Sequence, residues 1–487
     1  MTLLWAILLL PAACALASAL LPTPRLVLGL GVAGSLAEAA LVAALVPDGL
    51  EGRSFAADGH LFVDPLSTVN LVLVAAVFAF ASAYAWSYFA PRVRDGTFPR
   101  AMARRFGAAW FGFLTSMVLV LIANNVGVMW VAMEATTLAS ALLVCLEFDA
   151  PAVRASWTYL LICSVGIALA LLGTFLLCGE GQIVAAPGQS PFLWTDLSAL
   201  APHMHPGAVR LAFVFLLVGY GTKAGLAPMH TWLPGAHGQA ATPVSAVLSG
   251  VLLNCAVYAV SRFLPITEAA TGGDGWALRL LVPFGLVSIG IATAALLHEN
   301  DIKRFLAFCS VEHIGIIALG LGLGGTTAAL FHTMNHSIAK MLAFFCAGRV
   351  VHRTGTRDMR RMGGILAVAP LAGTGLVLAF LALVGAPPFA TFMSELGIVF
   401  AGAQGGSLAA LAFFLPAVAV ISVVMIRQAV RMIWQPATEP LHEGSSVPAD
   451  WALLGLPLVA LLVLGLWMPD ALSGALEKAA AVIRGVP

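Results

Sequence analysis

Residues 215–237 read FLLVGYGTKAGLAPMHTWLPGAH. The stretch opens as an apolar membrane helix and then carries an ammonium group, Lys223, two prolines, Pro228 and Pro234, and two histidines, His230 and His237. A charge near the bilayer centre costs about 2.5–3.5 kcal/mol even on the lenient insertion scale. A proline inside a helix removes a backbone donor and clashes with the preceding turn. Together they predict a helix broken within the membrane, in a polar interior where water and a partner can reach Lys223.

The rest of the chain agrees with that setting. Of 487 residues, 60% are hydrophobic and only 10% charged, against about 25% charged in an ordinary soluble domain. Apolar runs of roughly 20 residues recur from end to end, each long enough to cross a bilayer. The fold class is therefore an all-α polytopic membrane protein. The net charge of +1 selects no partner, and no basic face interleaved with aromatics points to nucleic acid. The opening MTLLWAILLL lacks a positive leader region and reads as a retained span. Seven cysteines, none in a C-x-x-C pair, read as small buried hydrophobes rather than cluster or zinc ligands.

Hydropathy places fourteen spans, near 3–21, 26–46, 62–88, 107–123, 125–145, 157–178, 209–229, 243–263, 276–297, 303–323, 325–349, 364–404, 410–432 and 451–469. The twelfth is too long for one crossing and contains GAPPFATFMSE, so it should be two half-helices divided at Pro387 and Pro388. Alternate loops hold 16 basic residues on one side and 6 on the other, the latter being Arg53, Arg210, Arg262, Arg279, Lys478 and Arg484. By the positive-inside rule both termini then lie outside the cytoplasm. The two proline-broken spans are five apart, so equivalent positions would run in opposite directions, as in inverted-repeat transporters. The expected organisation is residues 1–106 as three leading helices, 107–263 and 276–432 as two inverted five-helix repeats, and 433–487 as a last helix and tail.

Away from the ends of these spans, ionisable residues include Glu38, Glu134, Lys223, Glu312, His313, His332, His336, Lys340 and Glu395. The spacing of His332, His336 and Lys340 puts all three on one stripe of a helix, one turn apart. Such a stripe reads as a ladder for protons or as a polar seam satisfying neighbouring helices. A zinc reading lacks the glutamate of H-E-x-x-H and a third ligand. Glu134 and Lys223 invite pairing, since each lowers the cost of burying the other, either as a static bridge or as a switch. GLGVAG at 29–34 has no strand before it and reads as close helix packing. Asp64, at a span entrance, reads as an N-terminal cap.

Several of these stretches are familiar together: WVAMEATTL (130–138), GTKAGLAPMHTWLPGAHGQAATPVSA (221–246), NDIKRFLAFCSVEHIGI (300–316), FHTMNHSIAKMLAFFCAG (331–348) and GAPPFATFMSE (385–395). In them the chain resembles the antiporter-like proton-channel subunits of respiratory complex I, the Mrp-type antiporters and the group 4 membrane-bound hydrogenases, with EATTL and PPFATFMSE most like the F subunit of hydrogenase-4-type complexes. The resemblance implies Glu134 and Lys223 as a switching pair, Lys340 as central relay and Glu395 as exit-side carrier, with His313, His332 and His336 lining the axis. One departure is Asn254, which stands where several relatives carry a lysine or histidine between the two halves. An amide holds water but cannot titrate, so three alternatives stand: water wires span that gap, coupling between the halves is weaker, or His230 and His237 supply the protonatable step.

The resulting expectation is a proton-translocating membrane subunit of a redox-driven complex, of the group 4 [NiFe] hydrogenase kind. It would sit in the inner (plasma) membrane of a bacterial or archaeal cell. It would hold no cofactor itself, with iron–sulfur clusters and [NiFe] on partner subunits. Its partners would be other membrane subunits, a peripheral hydrogenase or dehydrogenase arm, lipid and protons. A complex I subunit, a Na+/H+ antiporter subunit and a non-pumping membrane scaffold stand as alternatives.

Overall fold

The computed structural model describes residues 2–52, 59–436 and 448–485. Regular structure among them is helical, apart from three isolated backbone bridges. Four helices lead: α1 (Thr2–Leu20), α2 (Pro24–Leu50), α3 (Pro65–Arg94) and α4 (Arg100–Ile122). Then come α5 (Val126–Val144), α6 (Ala150–Val184), the short α7 (Trp194–Leu200), α8 (Pro206–Ala224) and α9 (Trp232–Gln239). A π turn, Leu248–Leu252, joins α10 (Thr242–Val247) to α11 (Leu253–Ala270). The second half holds α12 (Trp276–Leu296), α13 (Ile302–Gly322), α14 (Thr326–Thr354), the short α15 (Ile365–Val368), α16 (Pro370–Leu383), α17 (Ala390–Gln404) and α18 (Leu408–Trp434). The chain closes with α19 (Pro448–Leu466) and α20 (Asp470–Arg484).

Among the described residues, eleven helices are singly long and apolar enough to cross a membrane, α10 and α11 counting as one. The other three expected spans also have helices beneath them. They are α14, whose polar residues lower its hydropathy, the broken pair α16 and α17, and α19, which bends by 83° into α20. The seventh span ends earlier than its hydropathy implies, because α8 stops at Ala224 with Gly225 in the left-handed region (φ 80°). Both breaks expected from proline are present, at 225–231 and 384–389.

Capping residues start the helices where short polar side chains stand before apolar runs. Asn125 Oδ1 accepts from the amides of Gly127 and Val128, Asp149 from Ala152, and Asp301 from Lys303 and Arg304. Small residues bring the tightest helix pairs together. A Cβ on Gly219 would lie 2.6 Å from the Gly166 carbonyl, locking α8 onto α6. A Cβ on Gly285 would lie 2.7 Å from the Gly315 carbonyl, locking α12 onto α13. Gly34 in α2 meets Phe111 and Cys14, the close packing expected of that glycine run.

One sequence expectation needs correcting. Arg262 is not a loop residue but lies buried in α11, 3% exposed. Its guanidinium donates to both carboxylate oxygens of Asp64 at 2.5 and 2.7 Å and lies over the rings of Trp194 and Tyr258. Asp64 caps α3 as expected, accepting from the Ser67 amide at 2.9 Å, but its second role could not be read without a partner in view. Arg53, counted with the same loops, lies outside the described residues.

Candidate functional site: a chain of buried polar groups

Lys223 occupies the last turn of α8 and is fully buried. A cation there faces the helix's negative end, the arrangement the macrodipole favours. Its ammonium does not touch Glu134 directly. It donates to Thr137 Oγ1 at 2.9 Å and to the Tyr159 hydroxyl at 2.5 Å. Thr137 in turn stands 3.4 Å from Glu134 Oε2, while Ser164 donates to Oε1 at 2.7 Å. The pair expected from sequence is thus a relayed one: carboxylate, threonine hydroxyl, ammonium, tyrosine hydroxyl. Tyr159 continues to Ser140 Oγ at 2.7 Å, and its ring stacks on Trp232 just past the break. The break itself is fastened from two sides, by Trp232 Nε1 donating to the Thr222 carbonyl and by the Ala227 amide donating to Ser288 Oγ of α12.

The second half uses imidazoles where the first uses hydroxyls. His332, His336 and Lys340 of α14 are all fully buried, and His313 of α13 packs against both histidines, ring centres 5.1 and 5.2 Å away. One arrangement of hydrogens gives these hydrogen bonds a common direction. Ser394 Oγ donates its hydrogen to the Thr391 carbonyl, so at 3.0 Å it accepts from His332 Nδ1–H. A neutral His332 then has a bare Nε2, which accepts from His313 Nδ1–H at 2.9 Å. In that arrangement the donor sense runs from α13 through α14 to α17. Next to Ser394, Glu395 bends back toward the break. A Cβ added at Gly385 (φ 62°) would lie 2.9 Å from the Glu395 carboxyl carbon, so only a glycine there leaves the carboxylate its place.

The remaining groups flank this line. His336 Nε2 stands 3.2 Å from the Ser249 carbonyl, and Lys340 Nζ donates to the Leu306 carbonyl at 3.0 Å. Glu312 is buried one residue from His313 with one oxygen unpartnered. Asn254, between the halves, donates to Ser337 Oγ at 2.7 Å and to the Gly250 carbonyl at 2.8 Å, a fixed amide link. His230 packs by Phe308 rather than on the α14 stripe. His237 stacks on Phe344 of α14, ring centres 5.3 Å apart. Sequence reading passed over Thr137, Tyr159, Ser164 and Ser394. Hydroxyls on apolar faces are common, and only the position of Lys223 or His332 singles these out.

One ring nitrogen each from His313 and His332 and an oxygen of Glu395 lie within 4.8 Å of one another. These are ligand types a divalent transition ion accepts. Here the two nitrogens are already joined to each other by a hydrogen bond, which a metal would have to displace.

Comparisons with known proteins cover the stretch of chain that contains these residues. The model of the family described as NADH:quinone oxidoreductase/Mrp antiporter, TM, matches residues 123–422. The hydrogenase-4 component F homolog of Methylacidiphilum infernorum is 38% identical over 336 residues, covering 68% of this chain and 70% of that protein. Hydrogenase-4 component B of Escherichia coli is 31% identical over 353 residues, 70% of this chain but only half of that longer protein. A chain of the membrane-bound sulfane sulfur reductase, an archaeal respiratory membrane complex, superposes with a TM-score of 0.87 at 22% identity, over 99% of this chain and 98% of that one. That last likeness is one of fold.

Proposed function

The chain belongs to the NADH:quinone oxidoreductase/Mrp antiporter family of membrane subunits, and from that footing we propose that it translocates protons within a redox-driven complex of the hydrogenase-4 kind. The observation that carries this reading is the hydrogen-bonded run from His313 of α13 through His332 of α14 to Ser394 of α17, beside Glu395, with His336 and Lys340 buried on the same stripe of α14 as His332. Glu134 and Lys223 form the input of the first half. Thr137 and Tyr159 hold the ammonium, and any shift of the α8 break changes which of them it reaches. A proton that reaches Lys340 passes by way of the histidines to Glu395 and leaves at the far side. Residues 107–263 and 276–432 act as two inverted units around this axis.

The subunit itself performs no redox chemistry in this reading. Iron–sulfur clusters and a [NiFe] centre belong to partner subunits in a peripheral arm, and neighbouring membrane subunits complete the complex. The membrane is the inner membrane, with both termini outside the cytoplasm. Moving one charge against 100 mV takes about 2.3 kcal/mol, which the redox arm must supply per proton.

The test is Lys223→Ala in the intact complex, with electron transfer and proton release into inverted vesicles measured separately. The expected result is electron transfer retained with proton translocation at least tenfold lower. Unchanged translocation would overturn the reading and leave a membrane scaffold.

A further inference from the structure

A polar cavity of about 240 Å³ opens at the basic face of the molecule, at the junction of the two halves. Tyr88, Glu147, Asp149, Gln239, Lys303 and Arg357 line it, from α3, the α5–α6 turn, the end of α9, α13 and the loop after α14. Its volume and polar walls suit a cluster of waters. The inner wall is Lys303, 6% exposed, whose ammonium donates to the Ala240 carbonyl at 2.8 Å. Behind it lies His237, fully buried, with neither ring nitrogen bonded to any protein group. A buried imidazole with two unanswered nitrogens is uncommon in a folded protein. It implies partners that come and go, as waters in a transfer path do. His237 is in electrostatic reach of both Lys303 and Lys340, and its ring lies flat on Phe344, one turn beyond Lys340 on α14.

We propose that this cavity is a proton port that feeds Lys340 directly at the seam, by way of Lys303 and His237, without passing through Asn254. The proposal rests on the proton-translocating reading above. The steps balance as follows. The Lys303 ammonium gives a proton to one nitrogen of His237 and regains one from a hydrated proton in the cavity. His237 releases the proton of its other nitrogen to the neutral Lys340 amine. Nothing but protons moves; Lys303 ends as it began, and His237 ends as its other neutral tautomer, which a turn of the ring resets before the next proton. The seam explains how a chain with a non-titrating amide between its halves still loads the second half. Asn254 then works as a separator, since its amide hydrogen bonds to Ser337 and Gly250 carry no exchangeable charge. Lys223 and its hydroxyl partners act through field and hydration on the same Lys340, rather than as the sole supplier.

The experiment has two parts, both in the assembled complex in membrane vesicles. First, Gln239→Cys is treated with a membrane-impermeant thiol reagent from each face, against a background in which all seven native cysteines are buried. Labelling from the basic face is expected, and none from the opposite face. Second, proton translocation per electron transferred is measured in Lys303→Met, Lys303→Arg, His237→Phe and Lys340→Ala. A guanidinium keeps the charge but does not release its proton, so both Lys303 variants and His237→Phe are expected to fall at least tenfold, as Lys340→Ala does. Full translocation in Lys303→Arg would make Lys303 a fixed charge and overturn its relay role. Loss in Lys340→Ala with normal Lys303→Met and His237→Phe would overturn the port while leaving the proton-translocating reading intact. Normal translocation in all four would overturn that reading itself.

Discussion

The half built around Lys223 and the half built around Lys340 bury the same kind of charge by different means. Lys223 sits at the C-terminal end of a broken helix, held by a threonine and a tyrosine hydroxyl. Glu395 sits just inside the second break, on α17, with its carboxylate folded toward Gly385. A cation at a helix end and an anion near a helix start are each favoured by the local dipole. The two breaks therefore offer opposite signs. Between them, hydroxyls serve the first half and imidazoles the second. A hydroxyl holds a charge in place and rotates, whereas an imidazole takes a proton on one nitrogen and gives one from the other. On the proposed reading the first half holds a charge and the second passes one.

That contrast can be broken most severely at His332. His332→Gln keeps a polar side chain but removes the two-sided exchange between His313 and Ser394, so translocation should fall tenfold or more with assembly unchanged; vesicle acidification per electron measures it. A mild effect would mean that the imidazole run is a packing seam. Next in size is Tyr159→Phe, which keeps the stack on Trp232 while removing a hydrogen bond to a charged group, worth about 1.5–3 kcal/mol. Translocation should drop several-fold and the complex should melt a few degrees lower. Thr137→Val should cost less, because Tyr159 still holds the ammonium, and should show mainly as slower proton uptake in stopped-flow. Asn254→His sharpens the comparison differently. With a titrating group at the junction, Lys303→Met should be partly rescued, which double-variant translocation would reveal.

The smallest expected effect lies at a tie between the halves outside the membrane. Asp274, before α12, accepts from the Trp276 amide and pairs with Arg210 of α8, and these hold its carboxyl below the usual aspartate range. The stabilisation is present above the unfolded value near 3.9 and is lost as pH falls through the lower folded value. Protection of the 271–276 amides, relative to their intrinsic exchange rates, should fall only in acid, and Asp274→Asn should remove that pH dependence.

Much of the fold is legible in the amino-acid sequence. The two proline breaks, the α14 stripe and the membrane class follow from residue type and spacing. Helices underlie all fourteen expected spans, but among the described residues eleven are singly long and apolar enough to cross, or twelve with the bent pair α19 and α20, and α14 is lowered in hydropathy by its polar residues. What stayed hidden were relations between distant segments. Glu134 and Lys223 suggested a direct pair, but whether Thr137 stands between them depends on how α5 turns against α8, which no local spacing sets. Arg262 looked like a loop charge because its partner Asp64 lies 198 positions away. The hydroxyls of Tyr159 and Ser394 resembled ordinary helix residues until the charge each serves came into view.

The π turn at Leu248–Leu252 has a further consequence. Widening one turn by a residue resets the angular phase of all that follows by about 100°. Ser249, inside the wide turn, offers its carbonyl to His336, and because a carbonyl only accepts, it fixes Nε2 as the protonated nitrogen of that ring. Asn254, past the turn, is aimed at Ser337 of the same helix α14. The wide turn thus acts as a keyway, letting one helix present two polar groups to one neighbour at a spacing a regular spiral would misalign. Excision of a single residue there would restore a regular spiral and swing Asn254 off α14. It would change the molecule's wiring more than most substitutions along the axis itself.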